Sequence, residues 1–145
     1  MRLTKFTDHG LRLLMYLASH EDEWVPVSRV AEAHGISVKH LQKSAHALAV
    51  EGYIEGRRGR QGGVRLAKTP QQIRVGEIIE SLERGVPLVE CFERSSNTCR
   101  IAPACVLKHT LLDAERAFYR EANQTTLADL AAPAARQRKL LAIAS

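Results

Sequence analysis

The stretch that decides the fold is Pro26-Val-Ser-Arg-Val-Ala-Glu-Ala-His34-Gly35-Ile-Ser37-Val-Lys39-His-Leu41. Its first part has the pattern of a short helix, with Ser28 as a candidate cap and Gly35 where a left-handed residue would end the helix. Ser37 can cap a second helix almost at once. Two helices joined by a tight turn that contains glycine predict a helix-turn-helix.

The second helix of this pair is expected to have one apolar and one polar face. The residues predicted to face inward are Leu41, Ala45, Leu48 and Ala49, and those predicted to face outward are Lys39, His40, Gln42, Lys43 and His46. A helix with a basic outer face can enter the major groove of DNA. The predicted contacts from this helix come from Ser37, Lys39, His40, Gln42 and Lys43.

A glycine-rich hairpin is predicted next. Tyr53-Ile-Glu55 and Val64-Arg-Leu66 have strand composition, and Gly56-Arg-Arg-Gly-Arg-Gln-Gly-Gly63 lies between them. Glycines permit a tight turn, and arginines suit phosphates and a narrow minor groove. The glycine spacing does not match a nucleotide-binding phosphate loop. The hairpin therefore predicts a winged helix-turn-helix that contacts double-stranded operator DNA through Arg57, Arg58, Arg60 and Gln61.

The composition agrees with a small DNA-binding protein. The chain has 145 residues and a net charge of +5, which leaves no room for a second, catalytic domain. Residues 37–66 contain six lysine and arginine side chains but only two carboxylates. Such a concentrated positive charge suits the binding of a polyanion. A solvated basic surface is the alternative. No apolar run is long enough for a signal peptide or a membrane span, so we expect a cytoplasmic protein.

The remaining elements predict a mainly α-helical fold with a small β-hairpin wing. A first helix carries Asp8 in its opening turns, with Thr4 or Thr7 as cap. A long helix with an apolar stripe at Leu107, Leu111, Ala114 and Phe118 could pack against its own copy or against its own core. We predict a winged helix-turn-helix domain at 1–85, a cofactor-binding loop at 86–106, a dimerisation helix with a short following helix at 103–131, and a basic, partly ordered tail at 132–145.

All three cysteines, Cys91, Cys99 and Cys105, lie within fifteen residues. In a reducing compartment they are expected to be thiolate ligands or redox thiols. Their spacing is wider than that of structural zinc knuckles, and a loop that wraps around a larger object suits an iron-sulfur cluster, whose fourth ligand would come from elsewhere or from a partner subunit. A zinc-stabilised, constitutive DNA-binding protein is one alternative. A thiol redox enzyme is another, but no C-x-x-C motif supports it, so we predict that the chain is not an enzyme.

The chain resembles the Rrf-type winged-helix iron-sulfur regulators, a family that also contains IscR, and within it the NsrR-like group of nitric-oxide-sensing repressors. The resemblance is carried by Met1-Arg-Leu-Thr-Lys-Phe-Thr-Asp-His-Gly-Leu-Arg, Gly35-Ile-Ser with Leu41, Gly59-Arg-Gln-Gly-Gly-Val-Arg-Leu66, Ile73-Arg-Val-Gly-Glu-Ile-Ile79, the three cysteines and Thr126-Leu-Ala-Asp-Leu130. One departure is the first gap between cysteines, which has seven residues here where members often have five or fewer.

The resemblance implies a homodimeric repressor whose cluster senses nitric oxide and whose modification or loss releases operator DNA. It implies a 4Fe-4S cluster, with 2Fe-2S possible, held by Cys91, Cys99, Cys105 and Asp8 of the partner subunit. From its position alone, Asp8 is better explained as a carboxylate favoured by the helix N-terminal dipole. IscR-like members use a histidine three residues past the last cysteine; Lys108 stands there in this chain, and His109 is the alternative ligand. An iron- or redox-responsive regulator with a 2Fe-2S cluster is the alternative within the family.

Overall fold

A computed structural model describes residues 2–143 as a mainly helical chain with one small antiparallel sheet. The helices are α1 (Lys5–Ala18), α2 (Val27–His34), α3 (Val38–Val50), α4 (Val75–Leu82), α5 (Val106–Ala122), α6 (Leu127–Ala131) and α7 (Ala134–Ile143), and the strands are β1 (Ile54–Arg57) and β2 (Gly63–Leu66). Short 3₁₀ turns lie at Pro70–Gln72, Glu90–Phe92 and Ala102–Ala104. The predicted fold class, mainly α with a β-hairpin wing, is confirmed.

Helix α1 is the centre of the core. Thr4 caps it, because its hydroxyl accepts a hydrogen bond from the Thr7 N–H at 3.2 Å, and Thr4 rather than Thr7 is therefore the cap. The apolar side of α1 is buried against α3 and α4. Gly10 permits this approach, since an added Cβ would lie 2.7 Å from the Cδ1 atom of Leu82.

The helix-turn-helix consists of α2 and α3. Gly35 ends α2 with φ at +62°, as predicted. Ser28 does not cap α2, because the helix begins at Val27 with Pro26 as the cap residue. Ser37 is the N-cap residue of α3 but makes no side-chain capping bond. Leu41, Ala45 and Leu48 are buried as expected, whereas Ala49 is exposed because the buried stripe runs through Ser44 instead.

The wing is a hairpin of β1 and β2, in which Ile54 pairs with Leu66 and Arg57 with Gly63. Val25 forms an additional bridge with Val64, with N···O distances of 2.9 Å in both directions. A Cβ at Gly63 would lie 2.6 Å from the Val25 carbonyl oxygen. Only glycine therefore lets the hairpin lie against Val25, two residues before the start of α2.

Helices α4, α5 and α6 form the second half of the described chain. Gly76 in α4 lies against the last turn of α5, where Asn123 Oδ1 accepts a hydrogen bond from the Glu77 N–H at 2.9 Å. Thr126 and Asp129 form a reciprocal capping box at the start of α6. Leu127 is fully buried, so α6 anchors the end of α5 to the core.

The end of the chain, for which the sequence predicted only a basic, partly ordered tail, contains a last helix. Residues 134–143 form α7, which contacts α2, and Gln137 donates a hydrogen bond to the Leu130 carbonyl oxygen at 3.0 Å. Partly buried Leu141 packs against the core. Residues 144 and 145 of the predicted tail lie outside the described residues. No helix in residues 2–143 is both long and apolar enough to cross a membrane.

Candidate DNA-binding face and cysteine segment

The outer face of α3 carries every helix residue predicted to touch DNA. Ser37, Lys39, His40, Gln42 and Lys43 are all exposed. The opposite side of the helix is fixed, since Leu41 and Leu48 have no solvent-exposed surface and the Ser44 hydroxyl donates to the Phe6 carbonyl oxygen at 2.9 Å. The structure therefore presents a polar and basic helix face on a rigid support.

The start of α1 lies beside this face, which was not predicted. The rings of His9 and His40 are stacked, with centroids 6.4 Å apart and an interplanar angle of 21°. Lys5, Phe6 and His9 of α1 and His40 and Lys43 of α3 line a cavity of about 320 Å³. The pattern of each helix gives no sign of this pairing, because it joins residues about thirty positions apart.

The wing residues predicted to touch DNA are Arg57, Arg58, Arg60 and Gln61, and all four are exposed. We call the first three the wing arginines. Trp24 supports the wing from the side: the Cζ atoms of Arg57 and Arg65 lie 5.7 and 4.4 Å from its ring centroid. Arg65 also pairs with Glu55 across the hairpin. These cation–π contacts restrain the wing, and Trp24 is a contributor that the sequence pattern did not indicate.

The cysteine segment has little regular structure. Cys91 lies in the turn Glu90–Phe92, and Cys105 is the last residue before α5. The backbone N–H of Cys99 donates to Asn97 Oδ1 at 2.9 Å. Thr98 ties the segment together by donating from its hydroxyl to Glu90 Oε1 at 3.1 Å.

The three thiols are free and partly exposed. Their donor chemistry fits iron, because thiolate sulfur is the preferred ligand of iron-sulfur clusters, and none is consumed in a disulfide. However, within residues 2–143 no three His, Cys, Asp or Glu side chains are placed to share a metal ion. One copy of the chain therefore carries the three sulfur donors in one segment but does not bring them together into a metal site.

The two candidate fourth ligands are both on helices. Asp8 pairs with Arg12, one turn further along α1, at 2.9 Å, and both side chains are about half exposed, at 47% and 45%. His109 is exposed in the first turn of α5. In one copy, the structure brings neither of them into a metal site with the cysteines.

Helix α5 has no buried residue, although part of it packs on α4. Near its start, Ile101, Val106 and Leu107 have exposed fractions of 68%, 79% and 64%. Of the predicted stripe, Leu111 and Phe118 are partly exposed and Ala114 is exposed. A long helix with this much uncovered apolar surface is typical of an interface.

Comparisons with known proteins agree with this arrangement. A family model described as "Rrf2: Iron-dependent Transcriptional regulator" matches residues 3–133. A protein of Shouchella clausii named HTH-type transcriptional regulator NsrR is 45% identical over 131 residues, 90% of this chain and 88% of the relative. A Bacillus subtilis protein of the same name is 40% identical over 131 residues, 90% of each chain.

Solved structures match over similar lengths. The structure titled T. potens IscR has a TM-score of 0.69 and 26% identity, covering 90% of this chain and 85% of that chain. Staphylococcus aureus CymR has a TM-score of 0.68 and 26% identity, covering 89% and 97%.

Proposed function

Because the chain belongs to the Rrf2 family of transcriptional regulators, we propose that it is a repressor whose affinity for operator DNA is controlled by an iron-sulfur cluster that responds to nitric oxide. The family and its named relatives are regulators rather than enzymes. The observation that carries the proposal is the joint presence of an exposed basic reading face and a segment of three free thiols directly before α5.

The DNA side of the proposal rests on α3 and the wing. Helix α3 enters the major groove, where Gln42 contacts base edges and Lys39 and Lys43 contact bases or phosphates. The exposure of all three side chains supports this. The wing arginines contact the phosphates and the adjacent minor groove. Two copies joined through the exposed face of α5 would present two reading helices, which must lie roughly 34 Å apart to fit successive turns of DNA.

The sensor side rests on the cysteine segment. Cys91, Cys99 and Cys105 would hold the cluster, with Asp8 of a second copy as the fourth ligand. When bound, the cluster supplies iron that reacts with nitric oxide. Asp8 can leave Arg12 at little cost, because a half-exposed ion pair contributes at most about 1 kcal/mol. His109 remains the alternative fourth ligand.

A continuous set of contacts joins the sensor segment to the reading face. Cys105 leads directly into α5, and α5 packs on α4 at Gly76. At the other end of α4, the buried Glu83 accepts hydrogen bonds from both the N–H and the hydroxyl of Thr4, each at 2.9 Å. Since Thr4 caps α1 and α1 supports α3, a shift of α5 would alter the position of the reading helix.

The second candidate is an iron- or redox-responsive regulator with a 2Fe-2S cluster, and the description of the family as iron-dependent favours it. A zinc-stabilised protein that binds DNA constitutively is a third possibility for the same thiols. The iron-to-sulfide ratio and the zinc content of anaerobically purified protein separate these candidates from one another.

The test is a titration of the anaerobic protein with nitric oxide in the presence of a fluorescent operator duplex, selected with the protein itself from random sequence. Visible absorbance reports the cluster and fluorescence anisotropy reports DNA binding. We expect both to change over the same range of nitric oxide. If the absorbance changed while the DNA stayed bound, control by the cluster would be wrong.

Variants of the candidate ligands sharpen this test. We expect Cys91→Ala to abolish the cluster spectrum, and Asp8→Ala to alter the spectrum and its response to nitric oxide with little effect on folding. His109→Ala is the matched control. A changed spectrum in His109→Ala together with an unchanged one in Asp8→Ala would assign the fourth ligand to the histidine.

A further inference from the structure

We propose that α1 takes a direct part in DNA binding, through a cleft in which Lys5 and His9 join His40 and Lys43 of α3 to hold one phosphate of the DNA backbone. This inference rests on the proposed function as a DNA-binding protein and adds a contact to it. The sequence pattern assigned His40 and Lys43 to the groove and gave α1 no part in DNA binding. The cleft instead makes these four side chains one site.

The crossing of α1 and α3 explains why the site is there. The Ser44 hydroxyl donates to the Phe6 carbonyl oxygen at 2.9 Å. An added Cβ at Gly10 would lie 3.9 Å from the Cβ of Ser44 and 3.7 Å from the Cδ1 of Leu48. The two helices are therefore in close contact beside the cleft, and side chains of both helices line it.

The chemistry of the cleft suits an anion. Two lysines and two histidines line it, together with the aromatic side chain of Phe6. An imidazole keeps at least one N–H donor in either protonation state, so the cleft offers donors whatever the charge of His9 and His40. Among the described residues, those that line the cleft include no carboxylate. The neighbouring carboxylate, Asp8, lies 2.9 Å from Arg12 and is not part of the lining.

The position of the cleft indicates DNA as the source of the phosphate. His40 and Lys43 lie on the same exposed face of α3 as Gln42 and Lys39. When this face is in the major groove, a cleft at its edge is expected to meet the strand that borders the groove. Contacts of this kind fix the orientation of a reading helix but carry no sequence information.

The expected signature is therefore a loss of affinity that is independent of sequence and dependent on salt. The experiment measures fluorescence anisotropy with the selected operator and with a duplex of mixed sequence, over a range of salt concentrations. For Lys5→Ala we expect about tenfold weaker binding to both duplexes at low salt. The slope of log K against log salt concentration should become smaller in magnitude by about one per subunit, or about two per dimer. His9→Leu should also weaken binding to both duplexes.

Matched variants separate this contact from general effects of charge. Lys5→Arg keeps the positive charge and should bind almost as wild type does. Lys139→Ala removes one exposed charge from α7, where no contact with DNA or with a second copy is proposed, and should leave the salt dependence unchanged. Circular dichroism of each variant checks that the fold is intact.

A neutral methylphosphonate placed at successive positions of the operator locates the phosphate. At one position, the methylphosphonate should weaken DNA binding by the wild type but cause no further loss of binding by Lys5→Ala, because both changes remove the same contact. The inference is overturned if Lys5→Ala binds both duplexes as wild type does, or if its loss is confined to the operator. If the wild type itself bound neither duplex, the proposed function would fail instead.

Discussion

Replacement of Gly76 by alanine tests the junction between α4 and α5. Gly76 is buried in the first turn of α4. A Cβ there would lie 2.6 Å from Asn123 Oδ1, and closer still to the carbonyl oxygen of Tyr119. The carbonyl belongs to the backbone of α5 and cannot turn aside, so the helices must move apart.

The magnitude follows from opposing effects. Alanine is favoured over glycine in a helix by about 1 kcal/mol. Overpacking of a filled site costs about 1–3 kcal/mol, and separation of the helices breaks the hydrogen bond from the Glu77 N–H to Asn123 Oδ1, which contributes about 1 kcal/mol. We therefore expect Gly76→Ala to lower the free energy of unfolding by about 1–3 kcal/mol.

Urea and thermal unfolding followed by circular dichroism measure this change, and the melting temperature should fall by about 3–10 °C. Gly56→Ala is the matched control, because a Cβ at Gly56 meets no atom within 4 Å. We expect its stability to remain within about 0.5 kcal/mol of wild type. If Gly76→Ala were as stable as Gly56→Ala, the close contact between α4 and α5 would be wrong, and with it the proposed route from the cysteine segment to α3.

Three further predictions concern the wing, the dimer and pH. Alanine at all three wing arginines should weaken operator binding and reduce its salt dependence; equal binding by this variant and wild type at low and high salt would exclude the wing as a contact. Leu107→Glu places a charge on the exposed apolar face of α5 and should give a monomer in sedimentation, whereas an unchanged dimer would locate the interface elsewhere. Burial lowers the pKa of His34 in the folded protein. As the pH falls, this histidine therefore gains its proton first in the unfolded chain, near pH 6.5, and the free energy of unfolding should fall as the pH drops through that value. In denaturant unfolding, the stability of His34→Gln should fall less over this pH range than that of wild type. If it fell equally, or if only a variant of the exposed His46 showed the smaller fall, the effect would belong to another group.

The sequence predicted the features that depend on one helix or one hairpin. Gly35 marked the end of α2, and the spacing of Leu41 and Leu48 identified the buried side of α3, because such signals repeat within a few residues. Features that join distant residues were missed. The hydrogen bonds from Ser44 to Phe6 and from Thr4 to Glu83 each depend on how helices cross.

The same reason explains the incomplete prediction of the cofactor site. The spacing of Cys91, Cys99 and Cys105 indicates a shared ligand, but their backbone is held mainly by short local contacts such as that of Thr98 with Glu90. A fourth ligand from a second copy lies outside any pattern within one chain. Helix α7 was missed because its sequence lacks a clear apolar stripe, although Leu141 packs against the core.

Control of DNA binding by an iron-sulfur cluster is tested most directly by measuring iron, acid-labile sulfide and operator affinity on one anaerobic sample, before and after the cluster is removed with a chelator. We predict a brown protein that binds its operator tightly, and a colourless protein after removal that binds much more weakly while its circular dichroism stays the same. A protein that contained zinc instead of iron and sulfide, or one that bound the operator equally well with and without its cluster, would contradict the proposal.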